Sequence, residues 1–180
     1  MIFYVAIVTE NIILKLRLDL GLERISMLYI EAFSKVHTNN MYENSKSLFL
    51  AGGISNCPNW QEEAVKFLSS SGLTVVNPRR LNFNVFDSKC SIEQIEWEHK
   101  HLDLCESILF WFPKETVCPI TLFEYGKYLP SKKKLFVGCD PEYSRILDLD
   151  VQTRLERPHL VVHRDLTDVL MEVWFSIGLI

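Results

Sequence analysis

Leu48-Phe49-Leu50-Ala51-Gly52-Gly53 is the stretch whose reading decides the fold. Four consecutive apolar residues without alternation suit a strand covered on both faces, as in a parallel sheet. The glycine pair ends the run, where the chain must turn or leave room at its backbone. The same rhythm continues downstream. Pro58 precedes a helical segment to about residue 70, with Trp60, Ala64, Val65, Phe67 and Leu68 as its buried stripe and Gly72 as its stop. Residues 73–76 read as the next strand, ended by Asn77-Pro78, and residues 79–89 as a loop. Ser91 stands three residues before Gln94, the spacing of a capping box, which predicts a helix from there to about residue 105. Ser107 to Phe112, apolar from Ile108 onward, reads as another buried strand and stops at Pro113. Residues 121–129, 142–155 and 166–177 then read as helices, and residues 135–138 and 160–163 as strands.

Short strands alternating with helices imply βαβ units, a central parallel sheet and helices on both faces, an α/β three-layer sandwich. Upstream the pattern changes. Even positions from 12 to 22 are apolar while Lys15, Arg17 and Asp19 fall between them, which is strand-like, although the leucine-rich composition also permits a helix. Residues 26–33 suit a short strand or a helical turn, and residues 37–46 a polar loop. Residues 1–25 are therefore read as an appendage and residues 26–180 as one α/β domain.

Composition bounds the function. Hydrophobic residues make up 48% and charged residues 23%, ordinary globular values, and the formal net charge is −4. The only basic cluster, Lys132-Lys133-Lys134, precedes an apolar run and reads as a solvated strand entrance rather than a duplex nucleic-acid surface. The five cysteines are odd in number and form no CxxC, and no HExxH occurs, so neither a disulfide framework nor a metal site is expected. The apolar opening from Met1 to Val8 ends at Glu10, too short to span a membrane and without the features of a signal peptide. The expectation is a cytoplasmic protein with no cofactor and no membrane partner.

Ligands on parallel sheets bind beyond the carboxyl ends of the strands. That rule selects Gly52, Gly53 and Ile54, then Asn77, Arg79 and Arg80, then Trp111 and Phe112, and then the segment leading to Glu124. Glu124 is expected within about a turn of a helix start, where the dipole favours a carboxylate, and a carboxylate there can attack a sugar carbon. A glutamate that merely complements the dipole gives the same pattern. Glu98 shares a helix face with Gln94 and could act as an acid in the same pocket, or lie on a solvated face. Gly52-Gly53 could admit a ligand or form a plain turn, since neither GxGxxG nor a Walker pattern is present. Arg79 and Arg80 suit phosphate, or a salt bridge to Asp87 or Glu93. Trp111 and Phe112 could stack a base, or be core aromatics.

Taken together, Phe49 through Ile54, Trp60, Asn77-Pro78-Arg79-Arg80, Gln94 through Glu98, Ile108 through Pro113 and Pro119 through Gly126 resemble the nucleoside 2-deoxyribosyltransferase-like family over about residues 47–165. The resemblance implies a flavodoxin-like fold, a small-molecule nucleoside or nucleotide as ligand, and glycosyl transfer or N-glycosidic cleavage. It makes Glu124, of an E-x-G motif completed by Gly126, the nucleophile, and Glu98 the acid that contacts sugar or base. Two polar positions that support the nucleophile in that family are Phe49 and Cys118 here. Those departures motivate the alternative of a non-catalytic nucleotide-binding module, but alone they do not choose the acceptor. The apolar end Trp174-Phe175-Ser176-Ile177, expected to pack on its own sheet rather than complete a neighbouring subunit's pocket, leans the expectation toward water. A homo-oligomer stays open.

Overall fold

A computed structural model of the protein describes residues 27–33, 46–80 and 88–178. The alternating stretch at 12–22, nearly all of the polar loop at 37–46 and most of the loop at 79–89 lie outside those residues. Six strands form one sheet: β1 (Leu28–Glu31), β2 (Ser47–Gly52), β3 (Thr74–Asn77), β4 (Ser107–Phe112), β5 (Lys134–Cys139) and β6 (Val162–His163). Every pairing is parallel, in the order β1-β3-β2-β4-β5-β6. Without β1 the order is that of a flavodoxin-like sheet, and β1 adds an edge strand beside β3.

Alternation within each strand sends side chains to two cores. Phe49, Ala51, Phe110 and Phe112 join one core, and Leu48, Leu50, Leu109 and Trp111 join the other. Helices α2 (Ser88–Leu104), α3 (Pro119–Tyr128) and α4 (Ile146–Glu156) cover the first core through Leu102, Tyr125 and Leu149. Helices α1 (Trp60–Phe67) and α5 (Leu166–Val173) cover the second through Ala64, Val169 and Val173. The result is a flavodoxin-like three-layer sandwich. Phe49, Phe110, Phe112 and Phe136 are each about 1% exposed or less, and burying each contributes roughly 2–3 kcal/mol.

The helix boundaries have local causes. Asn59 caps α1 by accepting from the Glu62 N–H, and Gly72, at φ 73°, takes the left-handed position after it. Helix α2 starts at Ser88, one turn before the expected Ser91. Gln94 does not make the reciprocal contact of a capping box, because its amide is engaged elsewhere. Helix α4 starts at Ile146 rather than 142, since Asp140 accepts from the Glu142 and Tyr143 N–H groups and holds a turn there. Helix α5 ends at Val173 and continues as one π-helical turn, Trp174–Gly178. At the expected solvated strand entrance Lys132 and Lys134 are exposed, but Lys133 is not simply solvated. Lys133 Nζ donates to the carbonyls of Leu102, Asp103 and Cys105 and so caps the carboxyl end of α2.

No helix among the described residues is long and apolar enough to cross a membrane. The order of strands reverses at β2, whose neighbours are β3 on one side and β4 on the other, and this opens a crevice at their carboxyl ends.

Candidate active site

A cavity of about 430 Å³ occupies that crevice on the α2 and α3 side of the sheet. Its floor is Phe49 and Ala51 of β2, and its rim is Gly52, Gly53, Ile54 and Ser55. Pro78 and Arg80 close it beyond β3. One wall is Ser91, Gln94, Ile95 and Glu98 of α2. The other is Thr116 and Cys118, then Pro119, Ile120, Thr121 and Glu124 of α3. The structure thus brings together Gly52, Gly53, Ile54, Arg80, Glu98 and Glu124.

The glycine pair is required by its surroundings. A Cβ on Gly52 would lie 2.4 Å from the Trp111 carbonyl and 2.5 Å from the Trp60 ring. One on Gly53 would lie 2.6 Å from Pro113 and 3.1 Å from Cys118 Sγ. The Gly53 carbonyl is held by Trp60 Nε1 at 2.9 Å and by Gln61 Nε2 at 3.1 Å. Gln61 is fully buried, and sequence reasoning missed it because it sits beside Trp60 rather than on the expected apolar stripe.

The corner after β3 divides its residues among different elements. Asn77 is buried, donates to the Tyr29 hydroxyl at 3.0 Å, and accepts from the Arg79 N–H at 2.9 Å. Arg79 turns away from the cavity. Its guanidinium donates to Gln61 Oε1 at 3.0 Å and to the carbonyls of Pro58 and Cys57, so it braces the loop that carries the glycines. Arg80 faces the cavity, lies over the Phe33 ring at 4.6 Å, and donates to Cys90 Sγ.

Trp111 and Phe112 do not line the cavity. Trp111 packs in the second core, near Gly138, and Phe112 packs in the first between Tyr125 at 5.8 Å and Tyr143 at 5.4 Å. Helices cover both faces of β4, so both rings are core aromatics. Among the described residues the aromatic lining the cavity is Phe49, 6.3 Å from Trp97. His101, three residues beyond Glu98, does not reach the cavity. It is buried against Trp97 at 3.9 Å and contacts the Trp97 carbonyl.

Helix α3 begins at Pro119, so Glu124 stands in its second turn rather than its first. The dipole weakens beyond the first turn, and burial dominates instead. Burial, then the negative charge of Glu98, raise the Glu124 pKa to about 8, against the pull of Lys127. Burial also raises Glu98, opposed by the Gln94 hydrogen bond and the charge of Arg80. No described residue hydrogen-bonds the Glu124 carboxylate. Cys118 holds φ 52° before α3, and burial raises its thiol to about 12, so it supplies no thiolate near neutrality. Among the described residues no group of three or more His, Cys, Asp and Glu could hold a metal ion.

Two carboxyl groups that resist simultaneous ionisation equip the cavity with one acid and one carboxylate. No curated protein matches the chain. A sequence model of proteins described as nucleoside 2-deoxyribosyltransferase like matches residues 45–143, which include every cavity residue named here and stop short of 165. With more than half of its length matched, the protein belongs to the nucleoside 2-deoxyribosyltransferase-like family.

Proposed function

We propose that the protein cleaves the N-glycosidic bond of a nucleoside or nucleotide through a glycosyl ester on Glu124. The observation that carries this reading is the placement of Glu98 and Glu124, from two helices, on one cavity at the carboxyl ends of β2 and β3. The Glu124 carboxylate attacks the anomeric carbon and forms a C–O ester bond while the bond from that carbon to the base nitrogen breaks. The base leaves with the bonding pair and takes a proton from Glu98. An acceptor then attacks the same carbon, the ester bond breaks, and the Glu124 carboxylate is regenerated. The acceptor's proton returns to Glu98.

Burial of Glu98 favours its protonated form, as an acid requires. Burial of Glu124 works against its ionised form, so the carboxylate depends on developing positive charge at the sugar and on Lys127 nearby.

The acceptor in this reading is water. Phe49 and Cys118 border the cavity, and neither hydrogen-bonds the Glu124 carboxyl. A phenyl ring has no group to do so. A transferase must retain a second base in a closed, dry pocket, which calls for fixed polar partners.

The test is incubation with a panel of nucleosides and 5′-nucleotides, measuring free base, with mass spectrometry of the Glu124 peptide for a glycosyl adduct. Base release and adduct together support the reading. Ligand binding without either would favour the non-catalytic nucleotide-binding module. Repeating the reaction with a large excess of a second free base decides the acceptor: free sugar supports water, and the exchanged nucleoside overturns it.

A further inference from the structure

Gln94 is 8% exposed, and the mechanism above leaves it without a task. Its amide nitrogen donates two hydrogen bonds at once, to the Pro78 carbonyl at 2.9 Å and to Glu98 Oε1 at 2.7 Å. Its own Oε1 is buried and has no partner. A buried carbonyl without a donor destabilises a fold, and methionine or leucine would fill a similar volume without that loss. Packing therefore does not account for glutamine here, whereas the two-pronged donor does.

Glu98 Oε1 is occupied as an acceptor, so the proton of the neutral carboxyl resides on Oε2. Among the described residues that oxygen has no partner, and it is not among the buried unpartnered atoms, so a ligand in the cavity reaches it. The Pro78 carbonyl follows β3 directly, which ties the amide to the sheet rather than to α2 alone. Among the described residues, the charged groups facing Glu98 from other elements are Arg80 beyond β3 and Glu124 on α3.

We propose that Gln94 is a positioning residue: anchored on Pro78, it holds Glu98 Oε1 as an acceptor and so presents Oε2, with its proton, to the ligand. The catalytic half of this inference rests on Glu98 being the acid, while the placement does not. Gln94→Met removes the hydrogen bond and keeps the volume. In NMR titrations of 13C-carboxyl-labelled glutamate, the Glu98 resonance in Gln94→Met should titrate at higher pH than in the wild type, because the ionised form loses a donor. Melting temperature should fall modestly, because the buried Pro78 carbonyl loses its donor while removal of the unpartnered Gln94 Oε1 offsets part of that loss. Turnover should fall about 10- to 100-fold with KM within about twofold, as expected for one hydrogen bond whose acceptor becomes charged as its proton leaves.

An unmoved Glu98 titration would overturn the placement. A moved titration with unchanged turnover would overturn the catalytic half. If the wild type releases no base but the titration moves, the placement stands and the glycosidic reading fails. If Gln94→Met does not fold, the wild type still decides: the Gln94 side-chain N–H signals should shift in step with Glu98, and independent behaviour would refute the contact.

Discussion

Glu98 on α2 and Glu124 on α3 border the same cavity, and the charge of Glu98 adds to burial in raising the Glu124 pKa to about 8. The two carboxyls titrate as a coupled pair, so a change at one is read at the other.

The first consequence is kinetic. A nucleophile must be ionised, so base release should increase as pH rises toward about 8. Glu98→Gln removes the like charge, and the Glu124 carboxyl should then titrate at lower pH. Loss of the acid should also cut turnover by about 10²- to 10⁴-fold, most strongly for bases that leave poorly. Turnover against pH for both proteins is the check, and an unmoved rising limb in Glu98→Gln would contradict the coupling.

The second is thermodynamic. A carboxyl whose folded pKa lies above its unfolded value stabilises the fold below the unfolded pKa, and that contribution is lost as pH rises through the folded one. For Glu124 the window runs from about 4.5 to about 8. Glu124→Gln should match the wild type in stability at pH 4 and exceed it above pH 8, by at most ~5 kcal/mol. Base release should be abolished. Denaturant unfolding at several pH values measures the difference, and a constant gap across the window would show that Glu124 is not held neutral by burial.

The two adjacent arginines should separate in their effects. Arg80 borders the cavity, and Arg79 braces the glycine loop through Gln61, Pro58 and Cys57. If the substrate carries a phosphate, Arg80→Ala should raise KM for nucleotides about tenfold or more while sparing nucleosides. Arg79→Ala should lower the melting temperature and raise KM for both alike. Equal effects of Arg80→Ala on both substrate classes would assign it to structure.

Gly52→Ala and Gly53→Ala test the close packing behind the cavity rim. The added methyl meets the Trp111 backbone in one and Pro113 in the other. Backbone cannot yield as a side-chain tip can, so Gly52→Ala should be the more costly, at about 1–3 kcal/mol or above. Gly126→Ala meets nothing within 4 Å, so that helix position should be neutral or slightly stabilised. Unfolding free energies of the three variants provide the comparison.

The sheet was legible in the sequence because its strands are buried on both faces. The run at 107–112 matches β4 residue for residue, since Pro113 stops a segment with no polar face. Helix starts were less legible where a side chain had a competing partner. Ser91 and Gln94 have capping spacing, yet Gln94 spends its amide on Pro78 and Glu98. The parallel α/β layering follows from the sequence alone, which also marks Gly52, Gly53 and Arg80 near strand ends, Glu124 near a helix start and Glu98 on a helix face shared with Gln94. Only the tertiary structure decided that Arg80 faces the cavity while Arg79 turns from it, and that Trp111 and Phe112 are core. It also decided that burial rather than the helix dipole governs Glu124. Local pattern sets which face of its own element a residue occupies, but the direction of a corner residue and the pKa of a carboxyl depend on what distant segments pack against it.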